Sequence, residues 1–95
     1  MSALIVGGDN LGSIPKELKK VGIDKVRHID GRSKTAIKKG MPLSMDIIIL
    51  LHDYVNHNLA TVVKRSAREQ DIPIIFARRS WSSIYTKLPH SILQN

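Results

Sequence analysis

The sequence predicts an α/β domain with three layers, a four-stranded parallel sheet between helices and a further helix at the carboxyl end. Three observations predict it. Short apolar runs of strand length alternate with segments of helical periodicity in the order β-α-β-α-β-α-β. One run, Ile47 to Leu51, is apolar without a break and rich in β-branched residues, as suits a parallel strand covered on both faces. Gly, Pro, Asp and Asn fall between the runs, where the chain must turn.

The first strand covers Ala3 to Val6 and is closed by Gly7-Gly8. A helix follows from about Ser13, with Ile14, Leu18 and Val21 on one stripe; Ser13 is placed to cap it, Pro15 suits its first turn and Gly22 ends it. Lys25 to Ile29 makes a second strand, interrupted by Lys25, Arg27 and His28. Ser33 to Lys39 reads as a short helix stopped by Gly40, after which Met41-Pro42 extends the chain again. The third strand is Asp46 to Leu51. Asn56 to Gln70 gives the clearest helix, with Leu59, Val62, Val63 and Ala67 on one face and Lys64, Arg65, Arg68 and Glu69 on the other. Pro73 to Phe76 supplies the fourth strand, with Pro73 tolerable at its start. From Ser80 onward, Trp81, Ile84, Tyr85 and Leu88 recur at helical spacing.

The 95 residues predict one domain, 1–95, with a small core that a partner subunit would help to stabilise. With no cysteine, the chain has no disulfide framework, no thiolate zinc or iron–sulfur site and no c-type haem attachment. No apolar run approaches the ~20 residues of a membrane span, and the apolar start is too short for a signal-peptide core, so the expectation is a soluble cytoplasmic protein without a membrane partner. Fifteen Lys+Arg against 8 Asp+Glu leave a charge of +7, which attracts nucleic acid, anionic lipid or small anions without choosing between them.

In a parallel sheet with right-handed crossovers, every strand exits at the same edge, and ligands bind outside that edge. The four exits read Gly7-Gly8-Asp9-Asn10, His28-Ile29-Asp30-Gly31-Arg32, His52-Asp53-Tyr54-Val55-Asn56-His57-Asn58 and Ala77-Arg78-Arg79-Ser80-Trp81. Gly8 and the turn around it let backbone amides approach an anion, although the complete dinucleotide-binding glycine pattern is missing and Asp9 would repel a pyrophosphate. A tight strand-to-helix turn explains the same residues. Asp9, Asp30 and Asp53 could gather a hard cation, or serve as turn residues paired with Arg32, Arg78 and Arg79. His57, at the start of the basic helix, and His28 offer imidazole nitrogens as metal ligands. Arg78-Arg79-Ser80-Trp81 joins two planar cations and a hydroxyl to the one Trp, and Tyr54 adds a second aromatic surface, a set that suits a flat ligand with acidic groups. Trp81 in the core with solvated arginines is the structural alternative.

The stretches Leu4-Ile5-Val6-Gly7-Gly8-Asp9, His28-Ile29-Asp30-Gly31-Arg32, Asp53-Tyr54-Val55-Asn56-His57 and Arg79-Ser80-Trp81 together resemble a small bacterial family, domain-of-unknown-function family 2325, over most of the chain. The resemblance implies a small Rossmann-like or flavodoxin-like domain and no established reaction. It also implies haem binding in some members, which here points to His57, then His28, as iron ligand, with Arg78 or Arg79 near the propionates. His52 stands where the family more often has Thr.

The resulting expectation is a non-enzymatic protein that binds an anionic small ligand or cofactor at the carboxyl edge of the sheet, with haem b as the specific occupant, for gas or redox sensing or haem handling. Its site residues are Gly8, Asp9, His28, Arg32, Asp53, Tyr54, Asn56, His57, Arg78, Arg79, Ser80 and Trp81, and a homodimer or higher homo-oligomer would complete the pocket. Two alternatives stay open. One is a nucleic-acid-binding or regulatory accessory domain using Lys64, Arg65 and Arg68 with Lys16, Lys19, Lys20, Lys34, Lys38 and Lys39. The other is an enzyme acting on a phosphorylated small molecule, with Asp53 or His57 as acid/base and Arg79 as anion clamp.

Overall fold

The computed structural model describes residues 1–31 and 45–89. Arg32, the helix expected over Ser33 to Lys39, and His90 lie outside the described residues. The elements run β1 (Ser2–Val6), α1 (Ile14–Lys20), β2 (Lys25–Ile29), β3 (Ile47–Leu51), α2 (His57–Glu69), β4 (Ile74–Ala77) and α3 (Trp81–Lys87). The strands form one all-parallel sheet in the order β2-β1-β3-β4.

That order follows from the central strands being apolar on both faces. Ala3 to Val6 and Ile47 to Leu51 are at most 1% exposed, which requires helices above and below. The pleat divides them. Ala3, Ile5, Ile47, Ile49 and Leu51 pack with Ile14 and Leu18 of α1 and Ile84 of α3, whereas Leu4, Val6, Ile48 and Leu50 pack with Leu59, Val63 and Ala67 of α2. Stepping from β1 to β2 goes one way along the sheet and from β3 to β4 the other, so right-handed crossovers put α1 and α2 on opposite faces. The reversal lies between β1 and β3, and it is the topological switch point of a flavodoxin-like doubly wound sheet.

Asn56 starts α2 as its sequence position suggests, its side-chain oxygen accepting the Asn58 and Leu59 amides, and Ser80 caps α3 through the Ser83 amide. The cap expected at Ser13 does not form: its side chain makes no capping bond, and its backbone is already helical (φ −86°, ψ 0°). Leu59 and Val63 are fully buried, each contributing about 1.5–3 kcal/mol from burial, and they hold α2 against the sheet. No helix among the described residues is long and apolar enough to cross a membrane.

Candidate functional site at the carboxyl edge

The four exits share one rim and are joined by backbone hydrogen bonds, four of them among the loops after β1, β2 and β3. The Gly7 amide donates to the Ile29 carbonyl (2.9 Å), the Gly8 amide to Tyr54 (2.8 Å), the Gly31 amide to Gly8 (3.2 Å) and the Asn56 amide to Gly31 (2.7 Å). The loops after β1, β2 and β3 thus meet at Gly31, which is buried and has no room for a side chain: an added Cβ would overlap the Tyr54 carbonyl oxygen. Gly8 meets the other requirement, a positive φ of 70°, with the Arg79 side chain above it.

The β4 exit is attached by the backbone bond from the His52 amide to the Ala77 carbonyl (3.1 Å) and by side chains. Both Asp53 carboxylate oxygens accept the Arg79 backbone amide, at 3.1 and 3.2 Å. The Arg79 guanidinium donates to the Asn10 carbonyl through Nε at 2.6 Å and through a terminal nitrogen, and it lies over the Tyr54 ring, 6.0 Å from its centroid. The Asn10 side chain in turn accepts the Gly12 amide (2.8 Å). Arg79 is therefore a clamp that ties the β1 and β4 exits together across the face of Tyr54.

Between these ties lies a crevice of about 160 Å³ lined by Gly8, Asp9, Asp30, Gly31 and Tyr54. Two of its five lining residues are acidic, and Arg78, outside that lining, is exposed. His28 reaches the same loop from the edge strand, its Nε2 lying 2.9 Å from the Gly7 carbonyl and 3.1 Å from that of Gly8. Both partners are acceptors, so Nε2 carries the proton and Nδ1 keeps the lone pair in the neutral ring.

Over nearly the whole of this chain, residues 2–90, a family model described as an uncharacterized protein conserved in bacteria (DUF2325) matches. The chain belongs to that family. Among curated proteins and solved structures, none matches it.

Within this DUF2325 fold eight of the expected site residues fall into two groups. Gly8, Asp9 and Tyr54 line the crevice, and His28 holds its loop. Asp53, Asn56, Arg79 and Ser80 instead make the bonds that build the rim or start its helices. His57 is the exposed first residue of α2. Arg78 is exposed, its amide bonded to the Ser83 hydroxyl at 3.0 Å. Trp81 is half-buried, packed against the α1/α3 core cluster and against Tyr85 with centroids 5.6 Å apart; the core packing considered for it is realised. The cation site sketched for Asp9, Asp30 and Asp53 does not form: no three His, Asp or Glu side chains gather to hold a metal ion among the described residues, and Asp53 faces the Arg79 amide. Gly31 was not on the expected list, and the signal available was the Asp30-Gly31 pair directly after β2.

Proposed function

We propose that this protein is a non-enzymatic ligand-binding domain whose site is the crevice and rim at the carboxyl edge of the sheet. The observation that carries the reading is the division of labour at that edge. Side chains that would serve as acid, base or nucleophile, Asp53 and Ser80 among them, are used in binding backbone amides, while an open space remains over the Gly8 and Gly31 backbone beside Tyr54.

Haem b is the occupant proposed for this rim. At about 160 Å³ the crevice is smaller than the ~300–1,000 Å³ of sites that enclose drug-sized ligands, so it would hold only part of such a group, and a second copy of the chain would have to complete the pocket. His57, the exposed first residue of α2, would hold the iron in this reading. His28 is the second candidate and would coordinate through Nδ1, because a backbone carbonyl on the other ring nitrogen is the usual support of a metal-bound imidazole. With the Arg79 guanidinium held at Asn10, the propionates fall to Arg78. Hemin titrated into the full chain should give a saturable Soret shift that His57→Ala weakens without changing the circular dichroism. A spectrum equal to that of free hemin, or one that neither His57→Ala nor His28→Ala alters, removes haem from the proposal.

A further inference from the structure

A second surface, away from the crevice and independent of what it binds, lies along the free edge of β4. The Pro73 carbonyl accepts the Ile48 amide (2.9 Å) and the Ala77 carbonyl accepts the His52 amide (3.1 Å), so residues 73, 75 and 77 turn their backbone toward β3. By the alternation of a strand, Ile74 and Phe76 turn theirs outward, where no strand lies among the described residues. The same two residues point their side chains to the α2 face, and there the sheet is not fully covered: Ile74 is half-buried and Phe76 is 41% exposed. A groove of about 520 Å³ runs beside them, with Ile72 on its floor and Lys64, Arg68 and Asp71 on its walls. The Lys64 ammonium sits 5.6 Å from the centre of the Phe76 ring, and an adjoining hollow of about 380 Å³ adds Arg65 to Lys64 and Arg68.

We propose that this edge docks an extended, acidic and apolar peptide segment of another protein, which adds to the sheet beside β4. The outward amides and carbonyls of Ile74 and Phe76 supply main-chain pairing, the apolar groove takes alternate side chains, and Lys64, Arg65 and Arg68 take the carboxylates. Charge selects this occupant over a second copy. Edge-to-edge pairing of two copies about a two-fold axis would lay both α2 helices on one face and set Lys64 and Arg68 against the same cations of the partner, with only Asp71 to offset them. The backbone of β4 in turn favours a strand over a nucleic acid, because its outer edge, beside which no strand lies among the described residues, offers donors and acceptors in strand register, and Lys64 already covers the Phe76 ring.

The test is fluorescence anisotropy of the full chain with a blocked, labelled peptide of alternating Val and Glu at low salt. The peptide should bind, Lys64→Glu/Arg68→Glu should weaken it by about tenfold or more with unchanged circular dichroism, and N-methylation along one edge of the peptide should abolish binding. Phe76→Ser, on the exposed edge, should weaken it as well. Absence of binding overturns the proposal, as does equal affinity for the N-methylated peptide. Tighter binding of oligothymidylate that the same charge reversal removes would make this a nucleic-acid surface. A dimer in sedimentation that Phe76→Ser dissociates would make it a self-association surface.

Discussion

Replacing Gly31 by alanine tests whether the rim is as tightly built as its hydrogen bonds imply. The new Cβ would collide with the Tyr54 carbonyl oxygen and stand 3.2 Å from the Gly8 nitrogen, and neither is a flexible side-chain tip that can swing away. Relief requires the Tyr54 peptide to move, which breaks its bond from the Gly8 amide. Overpacking of this kind costs about 1–3 kcal/mol and the lost hydrogen bond about 0.5–1.5 kcal/mol, together about 2–4 kcal/mol. Against a total of about 5–15 kcal/mol for a small domain, that is a large share. Gly12→Ala is the control, since Gly12 has a positive φ of 57° but nothing within 4 Å of an added Cβ, and left-handed backbone alone costs about 1–2 kcal/mol. Urea unfolding followed by circular dichroism should show the Gly31→Ala midpoint falling by roughly 1–3 M, and that of Gly12→Ala by clearly less. Equal midpoints for the two variants would mean that the junction yields easily, and the rigid-rim argument would fail with it.

Other perturbations probe separate contacts. Asn56→Ala removes the cap of α2 and should cost about 1 kcal/mol, read in a thermal melt as a fall of about 4–8 °C. Arg79→Ala should cost about 1–2 kcal/mol and speed amide exchange at Gly12, whose acceptor Asn10 loses its anchor; Arg79→Lys, lacking the forked guanidinium, should not restore protection. The Asp46 carboxyl is held below its ordinary value because it accepts the Ser2 backbone amide (2.7 Å) and, next, the Ser2 hydroxyl (3.1 Å). A folded-state value below the unfolded one gives stability that is present above about pH 4 and is lost as the pH falls through the folded value. Urea midpoints measured downward from about pH 5 should therefore decline less steeply in Asp46→Asn than in the parent chain.

The fold was legible where burial leaves a strong pattern. The unbroken run of Ile47 to Leu51 could only be a strand covered on both faces, and the apolar stripe of α2 with Asn56 before it fixed that helix to within a residue at each end. The strand exits followed from parallel topology alone, so the shared rim was foreseeable. What each polar side chain does there was not, because a carboxylate after a strand reads the same in sequence whether it lines a cavity or, like Asp53, receives a backbone amide from 26 residues away. Arg79 looked like an anion clamp for the same reason, and its partner is the carbonyl of Asn10. The groove beside β4 has no signature in the sequence because Phe76 is apolar and belongs to a strand; only the sheet order reveals that β4 is an edge strand among the described residues.

Arg79 and Asn10 are 69 residues apart in the chain, and that distance bears on synthesis as well as on shape. While a ribosome is still making the protein, β1 and its glycine turn emerge before Arg79 and must wait for the residues between them before their clamp arrives. The rim is thus completed only after β4 has emerged, and a nascent chain that stops before Arg79 would present a half-built rim.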